Sequence, residues 1–383
     1  MIKILHYAPN VGKGSLLEAY ITDLVHGTQD VAEVRVAYNY AEAQKQLKAS
    51  KPDIVHLHAC WNWATVRLAQ TARQHGCAIV LSPHWQLETY TTHNERYISK
   101  WVKKTIYQQR VTQNADALLV SSEREREHLL HDQWQDRIEV VKATPLTTAV
   151  STEEMGQQAM AFYHKVGDTR YELLMTDDEH EAIRSLLHVG MAQDLTHQLL
   201  NSEQILNLRT IKPQQWRRIM LLADDESIRH ILDRGIQIMQ LDVPTIDAAA
   251  INRFPKRHQK EKGSLSGEKL ILTNPLTKNK IRDVLNDLPQ TLRQIIIMLV
   301  NTQALLKRQG LTLRHVAELY EAIKYDDYDE TEFAAAVKQL HLYRFARRIT
   351  QVLHNLVYLE EGFYPVPALN DRKVKQLQKT ILK

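Results

Sequence analysis

Residues 51–90 constrain the fold more than any other stretch of this chain. They read KPDIVHLHACWNWATVRLAQTARQHGCAIVLSPHWQLETY. Two short apolar runs, at 54–57 and 78–81, enclose a segment whose apolar residues recur at helical spacing. The runs end in histidines or a tight polar turn, so the pattern is strand, helix, strand with its polar groups at the strands' C-terminal ends. Open parallel sheets bind ligands along that edge, where βα loops and helix N-termini collect.

The flanking text extends the alternation. Residues 2–7 form a first strand that ends in a loop containing Gly12, Lys13 and Gly14, and Ser15 is placed to cap a helix with Leu16, Leu17, Tyr20, Ile21 and Leu24 inward. Glycines ahead of a helix N-terminus admit a phosphate to backbone amides, or simply make a tight turn. A second strand is expected over 31–38 and a helix over 41–49, stopped by Pro52. Residues 96–112 space Ile98, Trp101, Val102 and Ile106 on one helical face, with Lys100, Lys103, Lys104 and Arg110 elsewhere. Such a helix either packs by its apolar face or lies on an anionic membrane surface. A buried strand over 117–120 precedes Ser122 and Glu125 in capping-box spacing, and 138–141 supplies a last strand. Five strand–helix alternations predict a Rossmann-like, doubly wound parallel sheet over residues 1–148.

Beyond residue 150 the spacing becomes helical almost throughout, as in Leu292, Ile295, Ile296 and Leu299, or Val316, Leu319, Tyr320 and Ile323. Only 270–272 reads as a strand. The expected organisation is therefore α/β followed by all-α: helical segments over 149–255 and 269–383 around a basic exposed linker at 256–268. The formal charge of +4 is spread over both halves, so no nucleic-acid partner is expected. Cys60 and Cys77 have no metal-ligand spacing, and no metal is expected. With no signal-like or membrane-spanning run, the expected location is cytoplasmic, or peripheral to the inner face of a membrane through Lys100, Lys103 and Lys104.

Four segments in order, PDIVHLH at 52–58, LSPHWQLE at 81–88, ADALLVSSERERE at 115–127 and IEVVKATPLTT at 138–148, resemble the N-terminal, acceptor-side domain of the family 4 glycosyltransferases, which have the two-Rossmann-domain GT-B architecture. That resemblance implies sugar transfer from a nucleotide sugar to a glycan or lipid-linked acceptor in building cell-surface polysaccharide, with no other cofactor. It implies a phosphate-closing loop at Gly12, Lys13 and Gly14 and a cleft-facing catalytic candidate in His84. His58 and Glu88 are further substrate-contact candidates; His56 and His58, a period-two pair on one strand face, either pack beneath the next helix or, for His58 at the strand's end, reach solvent. The second Rossmann domain is missing from the text, as is the family's Glu-x7-Glu donor motif. In the C-terminal residues 311–383, LTLRHVAELYEAI at 311–323, FAAAVKQLHLYRFARRITQVL at 333–353 and FYPVP at 363–367 resemble instead the helical tail of capsule-locus nucleotidyltransferase-like proteins, without that group's catalytic signature. The expectation is an accessory or degenerate glycosyltransferase-like protein that does not act alone, with a second protein completing the donor site. The alternative is a noncatalytic scaffold acting through its helical half.

Overall fold

The computed structural model describes residues 1–9, 11–87, 101–146, 149–195, 199–256, 260, 263–267, 269–308 and 310–382. The chain divides into two compact units. The first comprises Met1–Leu174 and Ile251–Pro255, the second Met175–Ala250 and Lys256–Lys383.

The first unit is built on six parallel strands: β1 (Ile2–Tyr7), β2 (Ala32–Ala37), β3 (Ile54–Leu57), β4 (Ala78–Leu81), β5 (Ala117–Val120) and β6 (Ile138–Val140). Their order is β2-β1-β3-β4-β5-β6. The chain runs outward from β1 to β2 and then back across to β3, so the winding reverses between β1 and β3. Helices α1 (Leu16–Thr28), α2 (Tyr40–Ser50) and α3 (Trp63–Gln74) make the first crossovers. Ser15, Asn39 and Asn62 each accept a backbone N–H in the first turn of the helix that follows. Strand side chains alternate between two cores. Ile4, Ile54, Val80 and Leu119 lie on one face, and Leu5, Val55, Ile79 and Leu118 on the other.

Residues 101–103 are helical and continue through a π-helical stretch, Lys104–Gln108, into α4 (Gln109–Asn114). A regular helix was the expectation here, and residues 96–100, Lys100 included, lie outside the described residues. After α5 (Glu123–His131) and β6, the unit runs past the expected exit at 148 into α6 (Thr152–Thr169) and α7 (Tyr171–Leu174). The cause is a close crossing of α6 on α1. A Cβ at Gly27 would stand 2.5 Å from the Thr152 carbonyl oxygen, and one at Gly156 would collide with the Gly27 backbone. With two glycines face to face, the helices approach closely enough for Met155, Phe162 and Tyr163 to close the sheet's first core. Phe254 joins the same core from the short return segment.

The second unit contains no strand among its described residues. Its helices α8 (Asp177–Met191), α9 (Ser202–Thr210), α10 (Pro213–Asp225) and α11 (Arg229–Ile238) precede α12 (Pro275–Asn286), α13 (Gln290–Lys307), α14 (Leu313–Tyr325), α15 (Glu330–Gln339), α16 (Tyr343–Val357) and α17 (Arg372–Ile381). Helix α13 is buried nearly all round, from Leu292 to Leu305, as a core helix must be. The glycine device recurs: a Cβ at Gly190 would collide with the Ile231 carbonyl, and one at Gly235 would stand 2.6 Å from that of Leu186. Glu179, fully buried, is matched by Arg218 through bonds of 2.7 and 3.0 Å. Among the described residues, the expected strand at 270–272 pairs with no other strand; side chains hold its backbone, and Arg308 Nη2 donates to the Ile271 carbonyl at 3.3 Å. Asn301 Oδ1 accepts from the Ile271 N–H, and Asn301 Nδ2 donates to the Lys269 carbonyl. Within the expected exposed basic linker, Lys256 pairs with Asp225 at 3.0 Å and Lys260 with the buried Glu226 at 2.7 Å. Among the described residues, no helix is long and apolar enough to cross a membrane.

Overpacking a close helix crossing typically costs about 1–3 kcal/mol. Gly156→Ala is expected to lower the unfolding free energy by that amount in urea titrations, whereas Gly12→Ala, whose Cβ would meet nothing within 4 Å, is expected to leave it unchanged. Equal midpoints for Gly156→Ala and the wild type would remove the packing account of α1 and α6.

Candidate active-site edge of the first unit

The reversal between β1 and β3 opens the sheet's C-terminal edge, and the chain fills that place with histidines. His6 on β1 is the register partner of His56 on β3. His58 follows one residue after β3, its N–H donating to the Tyr7 carbonyl at 2.9 Å and so continuing the ladder. The period of two puts His6, His56 and His58 on one face, beneath Tyr20 of α1 and Tyr163 of α6. His84 arrives from the loop after β4, and its ring meets Tyr20 edge-on at 5.1 Å.

The rings form a connected row. His6 Nδ1 lies 2.9 Å from His58 Nε2, and His58 Nδ1 lies 3.1 Å from His84 Nε2. His56 stands beside the row with its own partners, Nδ1 at 2.8 Å from Tyr163 Oη and Nε2 at 2.8 Å from Ser82 Oγ. Ser82 donates its hydroxyl proton to the Leu119 carbonyl at 2.8 Å. Its lone pairs then accept from His56 Nε2–H, which leaves His56 Nδ1 bare to accept from the Tyr163 phenol.

Burial keeps these rings neutral. His6, His56 and His58 are at most 1% exposed, and His84 is half-buried. Desolvation lowers His6 to about 3 and His84 to about 4, and holds His56 and His58 well below 6.5, with neighbouring histidines adding to the effect for the last two. A neutral imidazole carries one N–H. Three rings joined by two bonds leave one nitrogen over at each end of the row, His84 Nδ1 and His6 Nε2, and among the described residues His6 Nε2 is buried without a partner.

The loop that presents His84 is strained. His84 and Trp85 both adopt left-handed backbone, with φ of 48° and 63°, and Trp61 in the loop after β3 does the same at 59°. Such conformations in bulky residues persist where surroundings over-determine them, and they cluster at ligand sites. Glu125 is the restraint at His84. Its buried carboxylate accepts the Trp85 N–H at 2.7 Å and the Ser121 N–H at 3.3 Å. Trp61 is held by its N–H on Gln108 Oε1 at 2.7 Å and its indole N–H on the Gln86 carbonyl at 2.8 Å.

The sequence-derived residues fall into three groups. His84 and His58 come together, but His58 is covered: both its nitrogens are engaged by His6 and His84, so it meets a ligand only through His84. Gly12, Lys13 and Gly14 follow β1 at the same edge, with Gly14 left-handed at φ 73° and its N–H donating to Glu18 Oε2. Lys13 is exposed. Glu88 lies outside the described residues. Sequence reasoning missed His6, Tyr20, Ser82 and Tyr163 as partners of this edge. The one linear signal was His6 at strand parity, since the register that pairs it with His56 spans fifty residues of chain.

Residues 21–142, about a third of the chain, match the family described as Glycosyltransferase Family 4. The match covers most of the first unit, which carries a family 4 glycosyltransferase N-terminal domain, and it stops short of the helical unit. No curated protein and no solved structure matches the chain significantly.

The neutral row fixes the sign of a pH effect. As pH falls through 6.5 the unfolded chain protonates its histidines while folded His6 does so only near 3, so its contribution is fully present above 6.5 and is lost on acidification. Between pH 7 and 5, His6 alone is expected to remove about 2 kcal/mol from the unfolding free energy. Denaturant melts of the wild type and His6→Leu compare this directly. An equal acid loss in both would show that the row does not hold His6 neutral.

Proposed function

We propose that this protein is a glycosyltransferase-like component of cell-surface polysaccharide synthesis, accessory or degenerate, whose first unit binds a glycan or lipid-linked sugar acceptor. The family match over residues 21–142 supports the reading most strongly. The position of His84 adds to it, because doubly wound sheets take ligands at the point where strand order reverses. Sugar transfer from a nucleotide donor depends on positioning the anomeric centre and neutralising the diphosphate. On this reading His84 borders the ligand, Gly12 and Gly14 let a phosphate approach the backbone, and Lys13 supplies a cation. The nucleotide sugar is a substrate, and no other cofactor is needed.

The helical second unit, with no Glu-x7-Glu spacing in the chain, supports dependence on another protein for the donor side. Peripheral attachment to the cytoplasmic face of a membrane fits the exposed Trp101 and Ile106, at 59% and 64%, beside Lys103 and Lys104. Lys104 also stacks on Trp134 at 4.6 Å. A groove of about 410 Å³ beside this surface, bordered by Trp63, Arg73, Tyr107 and Arg110, offers an apolar floor with two guanidinium groups.

Calorimetry with nucleotide sugars, and with lipid-linked sugars in detergent, tests the reading, with and without the products of neighbouring genes. Binding of at least one ligand is expected, weakened about tenfold, or ~1.4 kcal/mol, by Gly12→Ala without loss of stability. Silence in every combination would favour the scaffold alternative, in which the helical unit carries the function.

A further inference from the structure

We propose that His6, His56 and His58 bind one divalent transition-metal ion of the zinc type, and that the ion fixes His84 as a neutral N–H donor at the sheet edge. Each of the three offers a ring nitrogen, and these atoms lie within 4.8 Å of one another. All three rings are buried. Imidazole ligates in its neutral form, the form this dry environment maintains, and imidazole nitrogen suits zinc, copper, nickel and iron.

The surroundings resemble the outer shell of a metal centre. A ligating histidine characteristically anchors its second nitrogen on a polar partner, which sets its tautomer. His56 anchors Nε2 on Ser82 Oγ, itself bonded to the Leu119 carbonyl, and so turns an unprotonated Nδ1 inward. His58 anchors Nδ1 on His84 Nε2 and directs Nε2 toward His6. Among the described residues His6 has no such outer anchor; one nitrogen faces His58 and the other has no hydrogen-bond partner. Tyr163 Oη, 2.8 Å from His56 Nδ1, offers an oxygen for a fourth position. Tetrahedral zinc with bonds of about 2.0–2.1 Å needs ligand nitrogens roughly 3.3 Å apart, so the 2.9 Å His6–His58 contact opens by a few tenths of an ångström while the widest pair of the cluster, within 4.8 Å, closes.

Occupancy has a directional consequence. With its Nε2 lone pair on the ion, His58 must keep its proton on Nδ1 and donate to His84 Nε2. Neutral His84 then carries its own proton on Nδ1. It donates to a ligand oxygen rather than abstracting a proton. The ion's place depends on no sugar or nucleotide, so this proposal and the transferase reading fail separately.

The untagged full-length chain, purified without chelator, tests it by elemental analysis and by Co2+ substitution. One equivalent of tightly held zinc is expected, with the visible absorption of tetrahedral Co2+ after exchange. His6→Gln and His58→Gln are each expected to lower metal content at least fivefold, while His84→Gln, outside the ligand set, retains it. Wild-type protein that holds substoichiometric metal after dialysis and gives no tetrahedral Co2+ spectrum overturns the proposal. So does full occupancy in His6→Gln and His58→Gln shown to be folded by circular dichroism. If those variants do not fold, the wild-type metal content and Co2+ spectrum decide alone.

Discussion

Parallel pairing of β1 with β3 is the constraint on which the first unit depends. It places His6 opposite His56, extends the ladder to His58, and reverses the winding of the sheet at the same place. Polar rings in that position would ordinarily be wetted. Here α1 and α6 cover them, because two facing glycines let those helices approach to backbone contact. Burial then makes the rings neutral, and neutrality makes them exchange protons and lone pairs with one another instead of with water. The strained loop carrying His84 and Trp85 is tolerated because the Glu125 carboxylate takes the Trp85 N–H.

Much of this architecture was legible in the sequence. Strands over 2–7, 54–57, 78–81 and 117–120 appear where the apolar runs place them, since short β-branched runs between turns leave little alternative. The change to helix after residue 150 was equally plain, because period-3.6 spacing recurs almost throughout. Other features lie in three-dimensional register. Nothing in the linear text says that the helix at 152–169 covers the first sheet; the decisive residues, Gly27 and Gly156, gain their meaning only from facing each other across two separate helices. Glu125 read as half of a capping box, and Ser122 does accept its N–H, but its carboxylate reaches across to Trp85.

The site was legible only at its rim. His84 and the Gly12–Gly14 loop stood out because strand ends and glycine turns are local signals. His6 did not, since a single histidine in an apolar strand gains meaning only from its neighbour across the ladder. His58 is a substrate-contact candidate from its place at the strand's end, but His84 sits over it. The family match over residues 21–142 takes in β2 to β6, leaves out β1 and the Gly12–Gly14 loop, and ends before the helical unit.

The account rests on a row of neutral, mutually bonded imidazoles at the switch point, with His84 as its outward end. Histidine-selective nitrogen NMR at a pH near 5.5 tests this most directly. The resonances of His6, His56, His58 and His84, assigned by single substitutions, should all be those of neutral rings with distinct protonated and bare nitrogens, since His6 and His84 titrate only near 3 and 4. Four imidazolium signals at that pH, with equivalent nitrogens in each ring, would contradict it.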